Sequence, residues 1–225
     1  MKFLPKLLCL CMLPALSVAA ESNKRYNLAL SNPGQPVEID VEVHSGSISI
    51  QGYQGDTVEI SASFSELSAV DKKQQAKEKR GDKKQNKRSL KGLKKVENNT
   101  PILEIEEEDN EVEISSRGSN KNVHLTIKVP QRAALELSLY RGGDIQVLDV
   151  NGAMEIENYG GGIKATNVSG PIVAETQRKD IEILFSKLNQ KDPSFLTSHM
   201  GNIDISVPKK MKSRVEIQTY LGEIY

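Results

Sequence analysis

The chain contains no tryptophan and only 4% aromatic residues, and its two cysteines, Cys9 and Cys11, both lie near the N-terminus. The rest of the chain therefore has no side chain that could form a disulfide or a thiolate metal site. Because aromatic residues are scarce, a core has to be built mainly from Ile, Val, Leu and Ala. The formal net charge of +0 argues against a global field that would steer the protein to nucleic acid, so no nucleic-acid partner is expected.

The first residues have the pattern of an export signal. Two lysines precede an apolar run over residues 7–18, and Val18 and Ala20 are small residues of the kind that a signal peptidase recognises. We expect cleavage after Ala20, which makes residues 1–20 a signal peptide. The run is shorter than the roughly 20 apolar residues of a membrane-spanning helix, so no transmembrane span is expected after cleavage. An uncleaved anchor is the alternative.

A lipid anchor is not expected, because a lipoprotein signal has a small residue before its cysteine. Here the residues before the two cysteines are Leu8 and Leu10. An exported chain without disulfides is more typical of a bacterial envelope protein than of a eukaryotic secreted one. The predicted location is therefore the periplasm or the cell surface.

A nine-residue repeat runs through the second half of the chain. Five apolar residues are spaced nine apart: Ile145, Met154, Ile163, Ile172 and Ile181. A glycine stands two positions before each of the first four: Gly143, Gly152, Gly161 and Gly170. Because nine is odd, a strand has to turn before its next repeat faces inward again, and glycine suits such turns. The repeat predicts an all-β chain folded as a parallel β-helix-like solenoid, with about two nine-residue units per coil.

Residues 36–66 have the alternation of apolar and polar residues that is typical of strands, as at Val37, Ile39, Val41 and Val43. The glycine spacing also occurs here, at residues 46–48 and again nine residues later at 55–57. We therefore divide the mature chain into N-terminal solenoid strands (21–67), a basic insertion (68–100) and a β-repeat solenoid (101–225).

The insertion is strongly basic, with 12 Lys or Arg residues and three acids between Asp71 and Lys95. It has too few apolar residues for a buried face, so we expect a solvated, flexible segment that can be deleted without loss of folding. Residues 104–114 reverse the sign, with seven acids and no base. The simplest explanation is that the insertion lies against this acidic stretch. Binding of a polyanion such as lipopolysaccharide or teichoic acid is the functional alternative.

The stretch LELSLYRGGDIQVLDVNGAMEIENYGGGIKATNVSGPIVAET resembles the bacterial putative-adhesin family, as do VEVHSGSISIQGYQGDTVEI near the N-terminus and GNIDISVP through LGEIY at the end. Two Val-Pro joints, Val129-Pro130 and Val207-Pro208, each precede a basic turn and a further strand, which predicts strands at 215–217 and 224–225. The resemblance implies an exported protein with a parallel β-helix-like fold and brings no catalytic residue. The sequence departs from the pattern at residues 178–180, where a turn glycine is expected and a distorted corner is predicted.

Calcium-binding β-rolls also have nine-residue glycine repeats, but they need an aspartate in each unit to provide oxygen ligands. The positions equivalent to Asp144 hold Ala153, Gly162 and Pro171. No metal site is therefore predicted.

Many β-helices cleave polysaccharides, a reaction that commonly uses two carboxylates. The acids at outward positions are Glu155 with Glu157 and Asp144 with Asp149, and any soluble solenoid carries such residues. The three histidines are scattered along the chain and are interpreted as surface residues: His44, His124 and His199. No catalytic residue, cofactor or enzymatic activity is predicted.

These patterns predict an exported, non-enzymatic β-solenoid that acts as a binding or adhesion module at the bacterial envelope. An envelope protein or a surface glycan is the expected partner. The main alternative is a periplasmic envelope-maintenance scaffold that binds a protein. A carbohydrate-active β-helix enzyme is the third and least favoured hypothesis.

Overall fold

The computed structural model describes residues 23–67, 103–116, 121–188, 191–219 and 223–224. The predicted signal peptide (1–20) and basic insertion (68–100) lie outside these residues. Within them the chain forms thirteen strands and no helix, which confirms the all-β class. Consistent with this, no described segment is a helix with the length and apolarity required to cross a membrane.

The strands are β1 (Lys24–Ala29), β2 (Glu38–Tyr53), β3 (Thr57–Glu66), β4 (Glu104–Glu108), β5 (Glu111–Ser116), β6 (Lys121–Pro130), β7 (Ala134–Leu148), β8 (Met154–Asn158), β9 (Ile163–Ser169), β10 (Ile172–Thr176), β11 (Ile181–Lys187), β12 (Phe195–Ser198) and β13 (Ile203–Ser206). Strands β8 to β11 begin nine residues apart, as the repeat predicts. Each nine-residue unit is thus one short strand and the corner that follows it.

Two long strands, β2 and β7, organise the sheet, because each half of these strands has different neighbours. Residues 38–43 of β2 pair with β5 and the first half of β7, whereas residues 46–53 pair with β6. The pairings divide the strands into two sets, which we call the first and second layers. The first layer contains β4, β5, the first halves of β2 and β7, and then β8, β10 and β12. The second layer contains β1, β3, β6, the second halves of β2 and β7, and then β9, β11 and β13. Buried residues of both layers belong to one hydrophobic cluster.

Alternate repeat units pair with each other in parallel. Ile145 lies beside Ile163, which lies beside Ile181, so the step between paired residues in the second layer is 18 residues. In the first layer, Met154 lies beside Ile172 with the same step. All five repeat residues are at most 2% exposed. The equally spaced aliphatic residues therefore form two buried ladders, and successive units alternate between them.

The sheet is mixed, because pairing in the N-terminal half is partly antiparallel. Strand β3 runs antiparallel to β1 and β6, and β4 runs antiparallel to β5. Gly46, predicted to lie at a turn of the repeat, instead lies inside β2, where that strand passes between the layers. Its φ is 142°, and a Cβ there would lie 1.8 Å from the carbonyl oxygen of Val123.

Buried polar side chains hold the corners between units. Asn158 is 1% exposed. Its side chain accepts hydrogen bonds from the backbone N–H groups of Gly160 and Gly161, at 3.1 and 2.8 Å, and donates to the carbonyl of Gly162 at 3.0 Å. It also donates to the Gly143 carbonyl at 3.2 Å. The corner is therefore fixed by specific hydrogen bonds as well as by burial.

The corner at residues 178–180, which lacks the expected glycine, keeps the register of its layer. The carbonyl of Asp180 accepts a 3.0 Å hydrogen bond from the N–H of Ile163. The Asp180 carboxylate accepts another, of 2.7 Å, from the N–H of Asn202. Side-chain hydrogen bonding thus supports this corner in place of a glycine.

The second Val-Pro joint repeats the turn of the first but not the strand that follows it. The N–H of Ala133 donates to the Pro130 carbonyl at 3.0 Å, and the N–H of Met211 donates to the Pro208 carbonyl at the same distance. The predicted strand at 215–217 is wrong, because this segment is irregular and its apolar residues are well exposed. Its pattern suits a strand, but no described strand packs over it to bury those residues.

Candidate functional site

The outer surface of the first layer is acidic. Its outward carboxylates are Glu104, Glu106 and Glu108 of β4, Glu111 and Glu113 of β5, Glu38, Asp40 and Glu42 of β2, Glu136 of β7, Glu155 and Glu157 of β8, and Glu175 of β10. We call this surface the acidic face. The strand segments that form it, β4, β5, 38–44, 134–140, β8 and β10, contain no lysine or arginine.

Five of these carboxylates form one row across five adjacent strands. In order, they are Glu106, Glu113, Asp40, Glu136 and Glu155. Neighbouring strands lie about 4.8 Å apart, so each carboxylate is adjacent to the next. Like charges directly opposite each other destabilise a sheet. The row is therefore a local electrostatic cost to the fold.

The pKa of Asp40, at the centre of the row, is raised above its ordinary value of 3.8. The first cause is desolvation by partial burial, and repulsion from Glu136, Glu113, Glu42 and Glu111 adds to it. In the part of the chain that the structure describes, no cation forms an ion pair with any carboxylate of the row. The negative charge of the row is thus not neutralised by these residues.

In the second layer, by contrast, two of the outward carboxylates form ion pairs. Lys128 pairs with Glu59 at 3.0 Å and Lys164 pairs with Glu182 at 2.7 Å, both on exposed side chains. The contrast indicates that the row in the first layer is not a general feature of the protein's surface.

An aromatic row runs beside the acids on the same face. The ring of His44 stacks on that of Tyr140, with centroids 5.4 Å apart and an interplanar angle of 15°. The ring of Tyr159 follows at 5.5 Å with a tilt of 47°. Tyr140 is 50% exposed and Tyr159 is 46% exposed, so both rings are accessible from this face.

A groove of about 390 Å³ lies where the acidic and aromatic rows meet. It is lined by Asp40, Glu42, Val43, His44, Glu136, Ser138, Leu139, Tyr140 and Tyr159. This volume is near the lower end of the range for small-ligand pockets. The groove combines carboxylate acceptors with exposed ring atoms, so its chemistry suits a cationic group that has a flat or apolar part.

No family model matches the chain, and no curated protein matches it. Among solved structures, the chain is similar to a putative cell adhesion protein from Clostridium sporogenes, with 11% identity, coverage of 83% of this chain and 99% of that chain, and a TM-score of 0.47. It is also similar to putative adhesins from Parabacteroides distasonis (10% identity, 82% and 97% coverage, TM-score 0.25) and Parabacteroides merdae (8%, 82% and 96%, TM-score 0.23).

The three histidines, interpreted from the sequence as scattered surface residues, have distinct surroundings. His44 belongs to the aromatic row, and Nε2 of His199 lies 3.3 Å from the Glu175 carboxylate on the same face. His124 lies in the second layer, with its two ring nitrogens 2.9 and 3.0 Å from the hydroxyls of Ser47 and Ser65. Two of the three thus lie on the acidic face, far apart in sequence.

The acids considered as catalytic pairs fall into two groups. Glu155 and Glu157 are both outward residues of β8 on the acidic face. Asp144 and Asp149 instead hold corners of the second layer. Asp144 accepts a 2.8 Å hydrogen bond from the N–H of Gly162, and Asp149 accepts one from Asn167.

The Gly162 hydrogen bond, assisted by the ion pair with Lys179 at 3.2 Å, lowers the pKa of Asp144. This carboxylate therefore stabilises a corner as an anion. Within the described ranges, no group of three or more His, Cys, Asp or Glu side chains could hold a metal ion.

Sequence reasoning did not identify Asp40, Glu136, Tyr140 or Tyr159 as site residues. The available signal was that outward positions between the apolar residues of several strands are acidic, as in VEIDVEV, EVEI, LEL and MEIE. That pattern gives the charge of each strand but not which strands become neighbours. The site appears only when the register between distant strands is known.

Proposed function

We propose that the protein is an exported, non-enzymatic β-solenoid that serves as a binding module at the bacterial envelope and recognises a positively charged protein segment through its acidic face. The observation that carries this proposal is the row of five adjacent carboxylates on strand segments that contain no lysine or arginine.

The solenoid part of the proposal is supported by the pairing of the repeat units. The parallel partners of Ile163 are Ile145 and Ile181, each 18 residues away, so every second unit returns to the same ladder. Corners between the units are held by buried Asn158 and by glycines too close to backbone for a Cβ. This arrangement presents a regular outer surface in which one side-chain type can recur from strand to strand.

The electrostatics favour a cationic partner. Repulsion between Asp40 and its neighbours weakens the folded state, and a partner that supplies lysine or arginine would relieve it. Acidic glycans and nucleic acids would be repelled by the same charges. A protein segment rich in basic residues is thus the partner class that this face would select.

A surface adhesin and a periplasmic scaffold could each bind a partner through the acidic face. Binding of a protein partner is closer to the scaffold role. The two roles differ in where the face is displayed. Protease added to intact cells would cleave a surface adhesin, whereas a periplasmic scaffold would be protected until the outer barrier is broken.

The absence of enzymatic activity is part of the proposal. Asp144 and Asp149 accept hydrogen bonds at corners. Glu155 and Glu157 belong to the acidic face, where attraction of a cationic partner explains them without catalysis. Polysaccharide turnover that is lost on substitution of Glu155 and Glu157 with glutamine would contradict this part.

Calorimetric titration of the mature chain (21–225) with an eight-residue peptide of alternating lysine and serine tests the binding function. We expect binding that weakens strongly with added salt, because surface charges are screened. The double variant Asp40→Asn, Glu136→Gln should bind about tenfold more weakly, equivalent to roughly 1.4 kcal/mol.

The matched control removes two carboxylates from the second layer, Glu59→Gln with Glu182→Gln. It changes the net charge by the same amount but leaves the acidic face intact. Equal effects of the two double variants would mean that the peptide senses only total charge. That result, or no binding at low salt, would refute the proposed recognition surface.

A further inference from the structure

We infer that the groove beside the aromatic row is a subsite for an arginine side chain of the partner, so that the acidic face prefers arginine to lysine. This inference rests on the proposed binding function and adds the chemical identity of one recognised group. It is carried by the groove, by the exposed rings that line it and by the carboxylates that flank those rings.

A planar guanidinium stacks on aromatic rings and is less strongly hydrated than an ammonium. Tyr140 already has such a neighbour within the chain, because the guanidinium carbon of Arg141 lies 5.5 Å from its ring centroid. Tyr159, tilted by 47° from Tyr140, is 46% exposed and lines the groove. Its accessible ring surface is where a second guanidinium would stack.

Three carboxylates line the same groove: Asp40, Glu42 and Glu136. Asp40 and Glu42 are successive outward residues of β2, and Glu136 lies beside Asp40 on β7. A guanidinium donates two parallel hydrogen bonds to one carboxylate, which an ammonium does not do in that geometry. The groove therefore offers both features that favour arginine over lysine, namely an aromatic stacking surface and carboxylates that can accept two parallel hydrogen bonds.

A neutral sugar fits the groove less well. Sugar rings bind best on broad aromatic platforms, and the chain has no tryptophan to provide one. The surrounding carboxylates contribute most to a charged ligand. The groove thus fits an arginine better than a neutral glycan.

The experiment compares two peptides of equal length and charge, one of alternating arginine and serine and one of alternating lysine and serine. Each is titrated into mature wild-type protein at low salt. We expect the arginine peptide to bind about two- to fivefold more tightly, the ratio given by one exposed cation–π contact. The variants Tyr140→Leu and Tyr159→Leu should bring this ratio close to one, because each removes stacking surface and leaves the carboxylates in place.

The outcomes separate this inference from the proposed function. Equal binding of both peptides, or a preference that persists in both tyrosine variants, would overturn the arginine subsite and leave the acidic face as a general cation site. Failure of both peptides to bind would overturn the function itself. Thermal unfolding of each variant, followed by circular dichroism, establishes that the binding comparison is made on folded protein.

Discussion

Asp40 on β2 lies directly opposite Glu136 on β7, and on its other side it lies opposite Glu113 on β5. Three carboxylates therefore meet across three neighbouring strands, and the central one has a raised pKa. Like charges directly opposite each other on neighbouring strands destabilise a sheet. The stability cost of this arrangement leads to the first prediction.

Replacing Asp40 with asparagine should stabilise the protein at neutral pH by up to about 1 kcal/mol, because it removes like-charge repulsion across two strand pairs. The pKa of Asp40 is raised in the folded state, so the folded protein binds its proton more tightly than the unfolded chain does. The contribution of Asp40 to stability therefore falls as the pH rises from 3.8 through the folded-state pKa of this residue. Below 3.8 the variant and the wild type should converge. Urea denaturation across this pH range measures both effects.

The control for this prediction is Glu59→Gln, which removes an acid that is paired with Lys128 rather than repelled. It should be neutral or slightly destabilising, because exposed ion pairs contribute at most about 1 kcal/mol. An Asp40→Asn variant no more stable than wild type at neutral pH would show that the row carries no net repulsion.

Replacing Ile163 with aspartate should unfold the repeat half of the protein. Ile163 is 2% exposed and lies between Ile145 and Ile181, so the substitution buries a charge without a partner. The matched control is Gln146→Asp, which places the same charge on the adjacent strand at an exposed position. Cooperative thermal unfolding of the Ile163 variant at the wild-type temperature would count against the buried ladders.

Replacing Gly161 with alanine should destabilise the protein by about 3 kcal/mol, as overpacking does when the surroundings are rigid. A Cβ at this position would lie 1.9 Å from the carbonyl oxygen of Gly143. Gly34 provides the control, because its φ is 81° but a Cβ there meets nothing within 4 Å. Replacing Gly34 with alanine should destabilise the protein by about 1 kcal/mol, because the only penalty is that of a left-handed backbone conformation for alanine. Equal denaturant midpoints for the two variants would contradict the close packing of the corner.

Replacing Asn158 with leucine should cost about 3 kcal/mol or more, because it leaves buried backbone groups of the glycine corner without partners. Thr176→Val is the milder comparison, since it removes one 2.8 Å hydrogen bond to the Gly161 carbonyl and should cost about 1 kcal/mol. Chemical denaturation measures both variants. If the leucine variant were as stable as wild type, the corner would depend on chain geometry alone.

Deleting residues 71–95 should leave the fold intact, because their composition is basic and poor in apolar residues. The deletion variant is expected to express as soluble protein and to unfold at the wild-type temperature. Loss of soluble expression would indicate that the segment packs as structure.

The repeat half of the fold could be predicted because its information is local. Each inward isoleucine and each corner glycine recurs at a fixed spacing, so a nine-residue strand and corner follow from the sequence. The N-terminal half does not have this property. The antiparallel return of β3 against β6 and the length of β2 depend on tertiary pairing. The strand predicted at 215–217 failed for the same reason, since alternation does not form a strand without a neighbour to bury it.

The candidate site could not be predicted because it is assembled from distant strands. Asp40 and Glu136 are far apart in the chain, and so are His44 and Tyr140, yet each pair is adjacent in space. Only the register of β2 against β7 brings them together. A one-residue change in that register would turn the acids inward, so the site and the core are determined by the same pairing.

The 18-residue step between Ile145 and Ile163 also sets how this molecule can change in evolution. An in-frame duplication of one such unit would add a strand to each layer with its inward and outward residues already in phase. If the copied unit carried Glu155 and Glu157, the charged surface would grow by one strand while the existing contacts kept their neighbours. The length of the charged surface, and so the length of the partner segment that it can bind, would then change by the gain or loss of whole 18-residue units. The sequence of each existing unit would stay the same.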